Sequence, residues 1–176
     1  EEGALLAMAK MALGEHGTIV PEGRSATDVT PRVSAAGRPG AQNESGAVGR
    51  IAFDAASGTV SGSYERILTG LPAGGNHWSR TVRLGPDGWL YVSQGSSCNV
   101  CIERDERRAS IMRMQPDGSQ REIYATGLRN SVGMDWAPWD DTLYATENGR
   151  DLLGDDFPPC ELNRIASHLV SVGTMA

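Results

Sequence analysis

The sequence predicts an all-β protein built from repeated units of about four short strands each. Its 176 residues include 22 glycines and nine prolines, a content that favours short strands and turns over long helices. A Pro-Asp-Gly turn at 86–88 stands between two strand-like segments and is typical of a hairpin, because proline presets φ while aspartate and glycine tolerate the other turn angles. The third observation is an internal repeat.

The repeat appears when the chain is aligned with itself. Segment 50–71 matches 113–128, with Thr-Gly-Leu at the end of both copies, and 82–95 matches 134–149. Each copy holds about four short strands, and the period lies in the range of propeller blades, roughly 40 to 60 residues. We therefore predict two four-stranded blades, at about 47–108 and 109–165.

The two ends of the chain lack this pattern. Residues 1–46 are predicted to be a poorly ordered leader or linker, within which 4–13 can form a short helix. This stretch makes a poor secretory signal, because acidic residues stand where a basic region belongs and Lys10 interrupts the apolar run. Residues 166–176 are predicted to be an atypical tail.

The charge of the chain argues against two classes of partner. A net charge of -6 and a pI near 5.0 disfavour binding to nucleic acid or to an anionic membrane surface. The sequence contains no apolar run of about 18 residues, so we expect no membrane span.

Polar side chains follow the Thr-Gly-Leu signal in both repeats. His77 and Arg80 come after the first copy, and Arg129 and Asn130 come after the second. Equivalent positions in neighbouring blades lie side by side, so we expect these four residues to converge near the propeller axis. The alternative is that Arg129 and Asn130 only satisfy loop backbone groups, and that Arg80 forms a surface ion pair.

An ordered series of short motifs carries a family resemblance. The chain resembles the soluble pyrroloquinoline-quinone (PQQ)-dependent sugar dehydrogenases, most nearly their sorbosone dehydrogenase-like branch, and it is also similar to soluble quinoprotein glucose dehydrogenase. The likeness covers about residues 48–165. The motifs are NHWSR at 76–80, GPDG at 85–88, GSSCNVC at 95–101, ATGLRN at 125–130, TENGRD at 146–151, and GDD at 154–156 with ELN at 161–163.

The resemblance implies a six-bladed β-propeller that oxidises a sugar hydroxyl or an aldehyde hydrate by hydride transfer to PQQ, with an external electron acceptor. His77 matches the catalytic base, a role that suits an imidazole because its pKa lies near working pH. Arg129 and Asn130 match residues that contact the cofactor. Arg80 can reach the sugar or pair with an acid.

The resemblance also implies a Ca²⁺ ion, held by the backbone carbonyls of Gly149 and Arg150 and acting on the quinone as a Lewis acid. Four acidic residues of the same region can add carboxylate ligands or can simply be solvated: Asp151, Asp155, Asp156 and Glu161. One position departs from the family. The glucose-oxidising branch has an aspartate near position 96 that orients the base, whereas this chain has Gly-Ser-Ser at 95–97. Ser96 or Ser97 can hydrogen-bond His77, but a hydroxyl stabilises an imidazolium less than a carboxylate does.

The cysteines allow more than one state. Cys98 and Cys101 are predicted to form a local disulfide, with two free thiols as the alternative, and Cys160 is left over. A structural zinc site would need a second pair of ligands. This cysteine use fits a parent protein that is periplasmic or secreted.

Two blades cannot close a ring, so we expect the chain to be a fragment of a quinoprotein dehydrogenase with little or no turnover. Two alternatives from other classes remain open. A calcium-dependent propeller lactonase would place metal-binding carboxylates in the channel, and a non-catalytic propeller scaffold would lack the channel histidine and arginine.

Overall fold

The computed structural model describes residues 29–34, 46–54, 59–78, 80–154 and 156–166, and of residues 29–34, 52–54, 61 and 62 it describes the backbone alone. Within these ranges there are ten strands and no helix, which confirms the all-β prediction. The short helix predicted at 4–13, Asp155 and the tail after Ala166 lie outside the described residues. No helix within the described part of the chain is long and apolar enough to cross a membrane.

The strands pair antiparallel in three sheets. The first sheet has the order β1-β2-β3, the second β4-β5-β6-β7 and the third β10-β9-β8. Their bounds are β1 Val29–Ser34, β2 Gly46–Asp54, β3 Thr59–Leu71, β4 Val82–Leu84, β5 Leu90–Gln94, β6 Ser110–Met114, β7 Glu122–Thr126, β8 Met134–Trp136, β9 Leu143–Glu147 and β10 Glu161–Ile165.

The sheets differ from the predicted units. The predicted boundary at 108/109 falls between β5 and β6, which are hydrogen-bonded neighbours with Leu90 opposite Met114. The described residues therefore hold one four-stranded and two three-stranded sheets in place of two blades. Each repeat in the sequence contains the last strands of one sheet and the first strands of the next. Aligning the chain with itself gives the length of the repeat but does not show at which strand a sheet begins.

Strand β1 corrects the prediction for residues 1–46. It pairs with β2 along its whole length and places Pro31 opposite Arg50. Proline cannot donate to the ladder, so it is tolerated on an outer strand of this three-stranded sheet. The local sequence showed no strand pattern, and the pairing is made with β2, the next strand along the chain.

Strand β5 is buried on both faces and joins two cores. Side chains of a strand alternate between faces, so Leu90 and Val92 pack toward the first sheet while Tyr91 packs toward the third. Tyr91 meets Trp136 edge to face, with the ring centroids 5.0 Å apart. The sheets are thus stacked face to face, which brings the loops that follow their strands together.

The predicted Pro-Asp-Gly hairpin is confirmed, since β4 pairs with β5 around it. The Asp87 carboxylate accepts hydrogen bonds from the Trp89 N–H at 3.1 Å and from the Tyr91 hydroxyl at 2.8 Å. Gly88 has a φ of 83°, which favours glycine at this position.

Candidate functional site

Four loops from distant parts of the sequence are joined by backbone hydrogen bonds. The N–H of His77 donates to the Ser96 carbonyl at 3.2 Å, the N–H of Ser96 donates to the Arg129 carbonyl at 2.7 Å, and the N–H of Asn148 donates to the Asn130 carbonyl at 3.3 Å. The structure therefore brings His77, Arg129 and Asn130 together, as the alignment of the two repeats predicted.

The hydrogen bonds around Ser96 define the tautomer of His77. Nδ1 of His77 lies 2.8 Å from Ser96 Oγ, and that hydroxyl donates its proton to the carbonyl of Cys98 at 2.7 Å. With the hydroxyl proton directed to the Cys98 carbonyl, Nδ1 is the donor to Ser96 Oγ, so this arrangement favours the tautomer that carries the proton on Nδ1. Nε2 then holds the lone pair, and it is the ring atom that can accept a proton from a ligand.

A glycine leaves the room that His77 occupies. A Cβ atom built on Gly95 would lie 2.4 Å from the His77 Cβ, 2.8 Å from the His77 carbonyl oxygen and 3.2 Å from the Asn130 Oδ1. A distance under about 3 Å between carbons is a severe clash. Only glycine at this position lets the imidazole-bearing loop and the Asn130 side chain approach the end of β5.

The surroundings of His77 favour the neutral imidazole. Burial, followed by the nearby Arg129 guanidinium, lowers the pKa of His77 below its ordinary value of 6.5, against the raising effects of Ser96, Asp151 and Glu103. The ring is therefore uncharged at neutral pH, which is the state a general base needs.

The Arg129 guanidinium is buried and uses all of its donors within the protein. Nε donates to the Asn99 carbonyl at 2.8 Å, and Nη1 donates to the Asn148 carbonyl at 2.8 Å and to the Gly149 carbonyl at 2.9 Å. Nη2 donates to Asn99 Oδ1 at 2.7 Å and to Asp151 Oδ2 at 3.0 Å. Asp151 supplies the one charged acceptor of this set, and its side chain is 74% exposed.

The predicted calcium ligands are placed differently from one another. The Gly149 carbonyl accepts a hydrogen bond from Arg129, which leaves the carbonyl oxygen one free lone pair. Arg150 lines a cavity of about 540 Å³ together with Ser96, Asn99, Arg108 and Arg129.

The acidic candidates for the calcium site lie apart. Asp156 and Glu161 are exposed, and Asp151 is bonded to Arg129. Asp155 lies outside the described residues. Within the described ranges these acidic side chains do not gather into a metal-ligand group.

Arg80 is buried, which rules out the surface ion pair that was one of the alternatives for this residue. Its Nε donates to Gln94 Oε1 at 2.6 Å, and its other donors bond the carbonyls of Trp78 and Pro72. Burial and the neighbouring Arg108 lower the pKa of Arg80 to about 10. All of these acceptors are neutral, and they tie the guanidinium to the backbone that leads to His77.

Glu147 is a buried carboxylate that the sequence analysis did not single out. It accepts a hydrogen bond from the backbone N–H of Asn130 at 2.6 Å and another from the Ser131 hydroxyl at 3.1 Å. Burial raises the pKa of Glu147, while those two hydrogen bonds and Arg129 oppose the rise. The burial of Glu147 could have been predicted from the alternation of side chains along a strand, because Leu143, Ala145 and Glu147 lie on one buried face of β9.

Cys98 and Cys101 form a disulfide that closes the loop beside His77, and Cys160 is a free, exposed thiol. The closed loop presents two groups to the site. The Cys98 carbonyl accepts the Ser96 hydroxyl, and Asn99 accepts two hydrogen bonds from Arg129. The disulfide thus supports both the imidazole and the guanidinium from one short segment.

The stacked antiparallel sheets, with the polar loops gathered in one place, define an all-β protein of the β-propeller class. The chain belongs to the TrAA12-like family, which it matches over residues 41–159. The family resemblance found in the sequence is therefore confirmed. A 79-residue stretch is also 40% identical to an uncharacterized protein of Borreliella burgdorferi, covering 45% of this chain and 21% of that protein.

Solved structures share the fold. A Trichoderma reesei member of carbohydrate-active enzyme family AA12 is 22% identical with a TM-score of 0.57, over 75% of this chain and 38% of that one. The PQQ domain of Coprinopsis cinerea pyranose dehydrogenase is 19% identical with a TM-score of 0.59, over 70% and 37%. The soluble aldose sugar dehydrogenase of Escherichia coli is 18% identical with a TM-score of 0.59, over 79% and 42%. The chain spans less than half of each of these solved chains.

Proposed function

We propose that the protein is a sugar oxidoreductase that works with PQQ and oxidises a sugar or a sugar aldehyde. The observation that carries the proposal is the His77–Ser96–Cys98 hydrogen-bond chain, which leaves Nε2 of a neutral imidazole as a proton acceptor. Membership of the TrAA12-like family and the likeness to the holo PQQ domain of pyranose dehydrogenase support the choice of substrate and cofactor class.

The chain's own residues account for the proton. Nε2 of His77 removes the hydroxyl proton of the sugar, and Nδ1 keeps its hydrogen bond to Ser96 as the ring becomes positively charged. Bound PQQ would accept the hydride that leaves the sugar carbon bearing that hydroxyl. Because Ser96 is neutral, it orients the ring but adds little stabilisation to the imidazolium.

The donor set fits an anionic cofactor. Arg129 and Asn130 stand beside His77, and a guanidinium favours a polycarboxylate that gains negative charge on reduction. Asp151 is the one charged acceptor of Arg129 and its side chain is 74% exposed, so a ligand carboxylate can replace it without breaking the bonds to the backbone carbonyls. We propose Arg129 and Asn130 as the cofactor-binding residues.

Calcium assistance is part of the proposal. The carbonyls of Gly149 and Arg150 would hold the ion, and the Gly149 oxygen has one lone pair left for it. A calcium structure is known for the Trichoderma reesei AA12 protein. The exposed Asp151, Asp156 and Glu161 are further candidate ligands, and a bound ion would add a Lewis acid next to Arg129.

We further propose that the three sheets belong to a six-bladed propeller in a periplasmic or secreted protein, and that turnover requires a closed ring. An external acceptor would reoxidise the cofactor. The lactonase alternative is less favoured, since the described residues Asp151, Asp156 and Glu161 are not gathered into a metal-ligand group. A non-catalytic scaffold would not need the oriented imidazole.

Calorimetric titration of the protein with PQQ, in calcium and in chelator, tests the proposal. We expect saturable binding in calcium that Arg129→Ala abolishes and His77→Ala retains, because the imidazole acts on the sugar. In the complete protein with a closed ring, supplied with an aldose and an artificial acceptor, His77→Ala should lose sugar oxidation while keeping PQQ affinity. Equal loss of PQQ binding in both variants, or unchanged PQQ affinity in Arg129→Ala, would contradict the assigned roles.

A further inference from the structure

A third metal-ligating side chain stands beside the Cys98–Cys101 pair. The candidate ligand atoms of Cys98, Cys101 and Glu103 all lie within 4.8 Å of one another. Glu103 Oε1 is 3.6 Å from the Cys101 Sγ. In a tetrahedral zinc site, a thiolate and a carboxylate oxygen are roughly 3.5 Å apart, given Zn–S and Zn–O bonds of about 2.3 and 2.1 Å. The carboxylate already has this spacing.

Glu103 is held in place by a neighbour. The backbone N–H of Ser97 donates to Glu103 Oε1 at 2.5 Å, and the Ser97 hydroxyl lies 2.9 Å from Oε2. Hydrogen bonds of this kind orient metal-ligating carboxylates in proteins. Cys101 is exposed and Cys98 and Glu103 are half-buried, so an ion can reach all three from solvent.

We infer that, when the disulfide is reduced, Cys98, Cys101 and Glu103 form a binding site for a thiophilic divalent ion such as Zn²⁺. A dithiol supplies two electrons and two protons and becomes a disulfide itself, while Cys98 and Cys101 become thiols. The ion then displaces both thiol protons. Two thiolates and one carboxylate so close together repel one another, and a divalent cation relieves that repulsion. Water completes the fourth position.

The ligands of this site differ in chemical type from those of the calcium site proposed above. Thiolates select soft or borderline ions, whereas Ca²⁺ takes oxygen ligands alone. The site does not depend on the proposed sugar oxidation. Its loop nevertheless contacts the candidate active site, because the Cys98 carbonyl accepts the Ser96 hydroxyl and Asn99 accepts hydrogen bonds from Arg129.

Cobalt titration of the phosphine-reduced protein tests the site. We expect one Co²⁺ per chain, with a thiolate charge-transfer band in the near ultraviolet and visible bands of a four-coordinate ion, and no such bands in the oxidised protein. Glu103→Gln should weaken binding by at least about tenfold. Glu106→Gln, a nearby exposed acid outside the group, should bind as the wild type does.

A second measurement applies even if reduction loosens the fold. Zn²⁺ should slow alkylation of Cys98 and Cys101 by iodoacetamide by about tenfold or more, while the exposed Cys160 reacts at an unchanged rate in the same tube. The absence of cobalt bands and of zinc protection would overturn the site. Equal affinity in the wild type and Glu103→Gln would overturn the role of the carboxylate.

Discussion

Glu147 accepts a hydrogen bond from the backbone N–H of Asn130 at 2.6 Å, across 17 residues of sequence. This bond ties the end of β9 to the loop that carries Arg129 and Asn130. A buried carboxylate therefore positions the loop of the two proposed cofactor-binding residues through its backbone.

Titration of Glu147 should be visible in the stability of the protein. Its pKa is raised by burial above the ordinary value of 4.5, so the folded state holds the proton more tightly than the unfolded state does. The stabilising contribution of this group is complete below pH 4.5 and is lost as the pH rises through the raised pKa. Glu147→Gln removes the titration, so the wild type should lose unfolding free energy relative to the variant across that window.

Urea unfolding at a series of pH values measures this difference, because the midpoint and slope yield the unfolding free energy at each pH. Parallel curves for the wild type and Glu147→Gln would show that the carboxylate does not change its proton affinity on folding. A difference that moves in favour of the wild type as pH rises would reverse the assigned cause.

Removal of the Ser96 hydroxyl should release the His77 tautomer. Ser96→Ala takes away the acceptor of the Nδ1 proton, and a hydrogen bond of about 1 kcal/mol corresponds to roughly a fivefold change in the tautomer ratio. Long-range ¹⁵N–¹H NMR correlations report which ring nitrogen is protonated. We expect an Nδ1–H imidazole in the wild type and a mixture in the variant.

Ser119→Ala is the matched control, since Ser119 is exposed on a distant turn. It should leave the His77 signals unchanged. A wild-type ring protonated at Nε2 would contradict the proton-acceptor assignment altogether.

A methyl group at Gly95 should displace His77. The new Cβ would stand 2.4 Å from the His77 Cβ and 2.8 Å from its carbonyl oxygen, so Gly95→Ala should lower the unfolding free energy by about 1–3 kcal/mol and shift the His77 resonances. Gly133→Ala is a milder comparison, because there the new Cβ meets only atoms of the Thr146 side chain, at 2.9 Å and beyond. Equal effects of the two substitutions would show that the Gly95 contact is readily relieved.

Arg129 and Asp151 should contribute very unequally to stability. Arg129→Ala removes the arginine donor from the backbone carbonyls of Asn99, Asn148 and Gly149 and one of the two donors to Asn99 Oδ1, and we expect a loss of about 2 kcal/mol or more. Asp151→Ala removes one exposed carboxylate, and it should cost about 0.2–1 kcal/mol. Urea unfolding of both variants measures the two losses, and comparable losses would mean that the ion pair dominates this cluster.

Part of the site could be predicted because equivalent positions in two copies of a repeat lie close together in space. His77 and Arg129 follow the same signal in two copies of one unit, and stacked sheets place equivalent loops side by side. Glu147 could have been found from the period-two pattern of β9, since a strand face that buries Leu143 and Ala145 also buries the residue two further on. The sequence left the role of Arg80 open, because its acceptors, Gln94 and two carbonyls, come from segments that sequence spacing does not connect.

The composition, the turn residues and the internal repeat were enough to establish an all-β chain with a hairpin at 86–88 and a polar site after the Thr-Gly-Leu signals. They could not establish where each sheet begins or that β1 pairs with β2, because residues 29–34 show no strand pattern and the bounds of a sheet are set by hydrogen bonds between strands. The packing of separate loops also decided that Arg129 meets the Gly149 carbonyl and that Glu103 meets Cys101. Such contacts follow from the three-dimensional arrangement of the loops, whereas turns and periodicity are written in neighbouring residues.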